Sequence, residues 1–336
     1  MNTDTPQFQM LQMISGFWVS RAIHLAATLG LADKLHERPL DAAELAEATG
    51  THAPSLYRLL RALASVGLLA EGDDKCFALT PLGATLRSNV PGSMRALAMS
   101  ELGGVHYPAW GEAMHSIKTG ETAFDQVFGM SCWDYLGQHP EQAEIFNQSM
   151  SELTALVEAA VLESYDFSSF DKIVDVGGGH ASLISSILEK SQQAKGVLFD
   201  APQVVEGARK KIEARGLAER CEVAGGDFFK AVPAGGDAYI MKHIIHDWND
   251  KQSITILKHI RRAIKENGKL LLVEQVILPG NEPQLGKFSD LIMMVMVGGR
   301  ERTEEEYRAL FAAAGFKLTK LTPTQSPVSI IEGIPA

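Results

Sequence analysis

The residues with chemistry to offer sit at the ends of apolar runs. Asp175-Val-Gly-Gly-Gly179 follows Ile173 and Val174 and leads into a helix-like segment with Leu183, Ile184, Ile187 and Leu188. That is a strand, a glycine turn and a helix start. Without a Cβ, and free to take positive φ, such a turn lets a ligand lie against bare backbone. Gly196-Val-Leu-Phe-Asp200 reads as a second strand ending in a carboxylate, 25 residues after Asp175. An acid there can accept hydrogen bonds from both ribose hydroxyls of a nucleoside. Gly225-Gly-Asp227-Phe228-Phe229 follows a third short strand and offers an acceptor for an adenine amino group and an aromatic to pack on the base. Three strand tips in chain order form a nucleoside pocket; the plainer reading is a structural turn plus two surface acids.

What is missing narrows the ligand. A dinucleotide fingerprint needs Gly or Ala at its sixth position, to bring a helix N-terminus to a pyrophosphate. Here that position is Ser182, and no Gly-Lys-Ser/Thr is present to hold a triphosphate. A nucleoside without phosphates fits better, and S-adenosyl-L-methionine is the common one, with S-adenosyl-L-homocysteine as its product.

A second constellation lies in Ala238-Tyr-Ile-Met-Lys242-His243-Ile-Ile-His246-Asp247-Trp248. The strand delivers Lys242, His243, His246 and Asp247 to its carboxyl end. The next strand holds Glu274 near its end, and Glu301 sits in Gly298-Gly-Arg-Glu-Arg-Thr303. A histidine with carboxylates to orient it is the kit of a general base. A phenol, pKa about 10, attacks a methyl sulfonium poorly until its proton is removed. An imidazole poised near pH 7 can remove it. We expect His246 to be the base and His243 to be structural. His243 and His246 are also spaced as metal ligands, but there is no HExxH pattern or clear third ligand, so no metal is expected.

These residues need a frame. With 336 residues, one or two domains are expected, and 46% apolar content is ample for a core. A net charge of −10 and a pI near 5.5 disfavour nucleic acid as a partner. Cys76, Cys132 and Cys221 are few and unclustered, which suggests a reducing cytoplasm. Residues 1–9 are polar and carry no leader pattern, and no apolar run approaches the ~20 residues that span a bilayer. A cytoplasmic protein without membrane contact is the expectation.

Residues 8–35 carry apolar side chains at helical spacing, and Phe17, Trp18 and Ile23 add more than one buried stripe requires. Such a helix packs on a second subunit or within its own chain. Residues 38–90 read as a winged helix. A capping box at Asp41/Glu44 precedes a helix carrying Leu56, Leu59, Leu60 and Leu63, then a hairpin about Gly72-Asp-Asp74. Only Arg58 and Arg61 mark the would-be recognition helix, and the wing is acidic, so a dimerisation or lid role is preferred to DNA binding. Residues 96–165 read as connecting helices. Their Trp110, Trp133, Tyr135, Phe146 and Met150 could together wall a pocket for a flat apolar molecule. Beyond, strands are expected at 172–176, 196–199, 221–224, 237–242, 269–276, 317–322 and 327–332, alternating with helices. The fold class is α/β: a Rossmann-like doubly wound, seven-stranded sheet behind an N-terminal, mainly α winged-helix domain, divided at 1–95 and 96–336, with the sheet core from 166.

With these residues placed, the chain resembles the small-molecule O-methyltransferases of secondary metabolism that include plant caffeic acid, animal acetylserotonin and bacterial polyketide members. Asp175-Val-Gly-Gly-Gly179, Gly226-Asp-Phe228, His246-Asp-Trp248 and Gly298-Gly-Arg-Glu-Arg-Thr303 carry the likeness, which covers nearly the whole chain. It implies donor contacts at Gly177, Asp200, Asp227, Phe228 and Lys242. It also implies His246 as base, with Glu274 and Glu301 flanking it and Asp247 close by, and a homodimer built through the N-terminal domain. Phe128-Gly-Met130 and Phe146-Asn147-Gln-Ser-Met150 would border the acceptor and donor sites. His180-Ala181 replaces the Thr-Gly usual in plant members, a change expected to tighten the loop. Where plant members place an asparagine before the Gly-Gly-x-Glu motif, this chain has Met293, Met294, Met296 and Val297, an adaptable apolar wall that argues for a multi-ring or hydrophobic acceptor.

The expected partner is therefore a hydroxylated aromatic or quinone-like small molecule, met by Met130, Trp133, Phe146, Asn147, Met150, Met293 and Met296. Two other readings stay open. One is altered chemistry on the same fold, as an N-methyltransferase or a hydroxylase; the other is a winged-helix metabolite sensor.

Overall fold

A computed structural model describes residues 5–336. Met1–Asp4, part of the polar N-terminal stretch and the start of the 1–95 domain, lie outside the described residues. The chain forms two compact units. One comprises the described residues up to Pro108 with Leu136–Leu153; the other comprises Ala109–Tyr135 and Thr154–Ala336.

The first unit opens with the helix Pro6–Leu29, capped by the Thr5 side chain and stopped at left-handed Gly30. Its outer face shows Met13, Ile14, Phe17 and Trp18 to solvent, the last at 64% exposure. Ile23 instead packs against the core formed by Ala26, Ala27, Leu56, Leu60 and Leu63, because it falls on the same helical face as Ala26 and Ala27. The Asp41/Glu44 capping box starts the helix Ala42–Thr49. Ala53–Ser65 follows, and β1 (Leu69–Glu71) and β2 (Phe77–Leu79) pair antiparallel as the wing.

The second unit is built on β3 (Lys172–Val176), β4 (Lys195–Asp200), β5 (Cys221–Gly225), β6 (Ala238–Lys242), β7 (Lys269–Glu274), β8 (Phe316–Pro323) and β9 (Ser329–Pro335). Their order in the sheet is β5-β4-β3-β6-β7-β9-β8. The first five are parallel, and β9 runs antiparallel between β7 and β8. Alternate residues feed two cores, Ile173, Leu198, Ile240 and Leu271 on one face and Val174, Val197, Tyr239 and Leu272 on the other. Burial on both faces is why these strands read as continuous apolar runs. The chain leaves β3 towards β5 and returns through β6 on β3's other side. That makes a topological switch point, where doubly wound sheets bind ligands outside the strand carboxyl ends.

β7 ends at Glu274, two residues short of the expected 276. Val276 leaves the ladder to bridge Arg302, and this places Glu274 at the strand tip. No helix among the described residues is long and apolar enough to cross a membrane.

Candidate active site

The glycine loop lies on one side of the switch point. Gly177 takes φ 74°, and a Cβ at Gly178 would stand 2.5 Å from Asp175 Oδ2, so only glycine lets the loop turn over that acid. Ala181, which replaces a glycine of plant members, holds φ 65° and is buried. The left-handed residue is retained there despite its Cβ. Asp200, at the tip of β4, accepts from the N–H of Gly179 at 2.8 Å and of Ala201 at 2.7 Å, one bond to each oxygen. A carboxylate offers about four lone-pair sites, so each oxygen keeps capacity for a ribose hydroxyl. Asp175 Oδ2 is buried with no hydrogen-bond partner. Burial raises the Asp175 pKa to about 7, against the pull of Lys242. These groups fit a nucleoside bearing a positive charge. Asp227 is exposed and accepts from the Phe229 N–H at 2.9 Å.

Phe228 meets Trp248 edge-on at 6.0 Å, and Trp133 stacks on the other side of the cluster, 6.0 Å from Trp248. Trp133, expected among acceptor contacts, thus stands in the aromatic group that includes the residue expected at the adenine. The turn after β6 puts it there, by carrying Trp248 between them.

That turn also carries the histidines. His243 has φ 53°, a strained conformation for a non-glycine residue. Glu274 Oε1 accepts from the N–H groups of Ile244 and Ile245 at 3.1 and 2.9 Å and so fixes the turn from β7. His246 Nδ1 donates to Glu301 Oε1 at 2.9 Å and lies 3.6 Å from Glu274 Oε2; Nε2 lies 3.5 Å from Asp247 Oδ1. All four expected site residues on this side therefore meet, and His246 is only 7% exposed.

The segment carrying Glu301 docks on the turn by its backbone. Arg300 N–H donates to the His246 carbonyl at 2.7 Å. A Cβ at Gly299 would stand 2.0 Å from that same oxygen, which is the reason for glycine there. Arg302, fully buried, donates to the carbonyls of Ile245 at 3.1 Å and Trp248 at 2.9 Å and to Asp250 Oδ1 at 2.7 Å. It clamps the turn on both sides of His246. Sequence reasoning quoted Arg302 within its motif without giving it this task; a lone arginine among surface-like charges carries no local sign of burial.

An imidazole poised near pH 7 is not what the geometry gives. Burial lowers the His246 pKa, but Glu274, Glu301 and Asp247 outweigh it and raise the value to about 10. The three carboxylates expected at the ring, Glu274, Glu301 and Asp247, all surround it. Burial, with Glu274 and Glu301 against His246, raises Asp247 to about 7. His243 is pushed well below the usual range by burial, then by Lys242 and His246, and stays neutral. The fold also supplies the third candidate ligand that the sequence lacked: His243, His246 and Glu274 offer atoms within 4.8 Å of one another. His246 Nδ1 already serves Glu301 there.

Of the remaining expected acceptor residues, Met130 lies on the turn between the helices Ala123–Phe128 and Cys132–Gln138. Met293 and Met296 lie on one face of the helix Leu285–Met296, with Ser289 a turn earlier. Ser289 Oγ donates to Glu301 Oε1 at 2.7 Å, so that face points at the histidine cluster. Phe146, Asn147 and Met150 belong to the first unit, on the helix Pro140–Ser164.

Comparison with known proteins gives the family. The O-methyltransferase domain family matches residues 110–317, and the O-methyltransferase dimerisation domain family matches residues 11–89. The phenazine O-methyltransferase of Lysobacter antibioticus is 46% identical over 326 residues, 97% of this chain and 95% of that protein. The 8-amino-8-demethylriboflavin N,N-dimethyltransferase of Streptomyces davaonensis is 35% identical, covering 94% and 91%. An O-methyltransferase of neocarzinostatin biosynthesis, crystallised with S-adenosylmethionine and 2-hydroxy-5-methyl naphthoic acid, superposes with a TM-score of 0.83 at 33% identity, covering 95% and 96%. Together the domain match and these relatives show a methyltransferase. The chain belongs to the S-adenosylmethionine-dependent O-methyltransferase family, and S-adenosylmethionine is its cofactor.

Proposed function

We propose that this enzyme methylates a hydroxyl on a flat, multi-ring aromatic or quinone-like metabolite, with His246 as the proton acceptor. The observation that carries this is His246, buried at the tip of β6 with Nδ1 fixed by Glu301 at 2.9 Å. Gly177, Asp200, Asp227, Phe228 and Lys242 hold the donor. Met130, Trp133, Met293 and Met296 contact the acceptor. When bound, the donor supplies an activated methyl group and a positive charge. Glu274, Glu301 and Asp247 orient the imidazole. His246 stands protonated near neutral pH in the protein alone, so the active form is the one that has released this proton. Added positive charge in the cleft favours that release.

The apolar methionines favour ring systems such as the phenazine and naphthoate named for relatives, as befits secondary metabolism. A panel of hydroxylated polycyclic aromatics and matched amines, incubated with methyl-labelled donor, tests the reading. Label is expected on oxygen. Label on amine nitrogen alone would turn the assignment to N-methylation, the second reading, which the N,N-dimethyltransferase relative favours.

The enzyme works in the cytoplasm, as a homodimer through the N-terminal region. The apolar face of Pro6–Leu29 supports this, and so does the dimerisation-domain match. Light scattering should give twice the 36.5 kDa chain mass, and deletion of residues 1–35 should give monomers or aggregates. A monomeric intact chain would refute the assembly.

A further inference from the structure

We propose that Ser289 is a positioning residue for the base, holding Glu301 so that one carboxylate oxygen is shared between the serine hydroxyl and His246. The proposal rests on His246 accepting the proton.

Ser289 Oγ donates to Glu301 Oε1 at 2.7 Å, and His246 Nδ1 donates to the same oxygen at 2.9 Å. Asp290, the next residue, takes the other end of Glu301: its Oδ1 accepts from the Glu301 N–H at 2.9 Å. Two consecutive helical residues therefore grip the side chain and the backbone of one buried glutamate. Glu301 Oε2 is buried without a hydrogen-bond partner. The shared oxygen thus carries the anchoring of the carboxylate, and the serine supplies one of its two donors.

The consequence for the imidazole follows from the charges that face it. Glu301 approaches from the 300–302 segment, Glu274 from the end of β7 and Asp247 from its own turn. His243 lies 5.2 Å away between ring centroids. Lys242 at the end of β6 acts on Asp247, and Asp290 and Tyr307 interact with Glu301 from their helices. Buried Arg302 lies next to Glu301 in the chain and is spent on backbone carbonyls and Asp250. Acids outnumber bases around the ring. A hydrogen bond donated to Glu301 by another group draws on the charge that would otherwise hold the imidazolium proton. Ser289 therefore fixes the direction of Nδ1–H while keeping the proton releasable. Met293 and Met296 follow Ser289 by one and two turns on the same face, so one rigid helix carries both the acceptor wall and this hold on the base.

The test uses full-length Ser289→Ala and Ser289→Thr proteins saturated with S-adenosylmethionine. Turnover is measured from pH 6 to 10, beside an NMR titration of the His246 ring assigned by loss of its signal in His246→Gln. In Ser289→Ala the His246 midpoint and the rising limb of turnover should both move up by about one unit, since one hydrogen bond to the partner carboxylate is lost. The rate at pH 7 should then fall roughly tenfold and recover at high pH, with donor KM unchanged. Ser289→Thr, which keeps the hydroxyl, should restore the wild-type profile. A loss of rate that is equal at every pH, or an unmoved His246 midpoint, would overturn the proposal. A midpoint that moves while the turnover profile stays fixed would leave the Ser289 hold on the ring standing and overturn His246 as the base.

Discussion

His246→Gln is expected to lower methyl-transfer turnover by roughly 10²–10⁴-fold, the usual worth of a positioned base. Donor affinity should change little, because Gly177, Asp200, Asp227 and Phe228 lie at other strand tips and only Lys242 shares β6 with the base. Raising the pH towards the acceptor's own pKa should partly rescue the variant, since solvent then supplies the ionised hydroxyl. Glu274→Gln should cost less, by loosening the turn it fixes through Ile244 and Ile245. The substitution also has a stability signature with a definite sign. The folded His246 pKa is raised from 6.5 to about 10, so its contribution is fully present below pH 6.5 and is lost as pH rises through 10. Wild type should therefore lose thermal stability across that window, and His246→Gln should lack this loss. In the variant Glu274, Glu301 and Asp247, all buried, face one another without their cation, so its melting temperature near neutral pH should be lower. Near wild-type turnover of His246→Gln at pH 7 would show that the acceptor needs no base.

Asp200→Ala should remove most of the affinity for S-adenosylmethionine and S-adenosylhomocysteine. Two charge-assisted hydrogen bonds to ribose hydroxyls, about 1.5–3 kcal/mol each, correspond to a loss of at least about 100-fold. The carboxylate also ties down the glycine loop through the Gly179 and Ala201 N–H groups, so loop order is lost with the ligand contacts. Calorimetry on both proteins checks this. The melting temperature of wild type should rise with donor concentration, and that of the variant should not. Tight binding of NAD by wild type, or no binding of either sulfur nucleoside, would end the donor-site assignment.

The class of fold was legible because β3, β4, β6 and β7 are buried on both faces and so appear as unbroken apolar runs. Their carboxyl tips announce themselves by the change to glycine and charge: Asp175, Asp200, Lys242, Glu274. The cap at Asp41 is a local device, written in residues three apart. The strand order was not legible, because the insertion of β9 between β7 and β8 depends on pairings across 50 residues and more, which no local pattern encodes. Nor was the fate of Ile23 and Trp133, both decided by which neighbour the fold brings up.

The same division runs through the site. The sequence by itself determined which residues are available for the chemistry, since a histidine, three acids and a glycine loop at strand tips are readable one by one. Only the tertiary structure decided their electrical state. Glu301 is 55 residues from His246 along the chain, and Ser289 lies 12 residues before Glu301. A pKa is set by distance and burial in space. The ring expected to titrate near pH 7 became an imidazolium held to about pH 10 because three carboxylates from separate segments close on it where water is excluded.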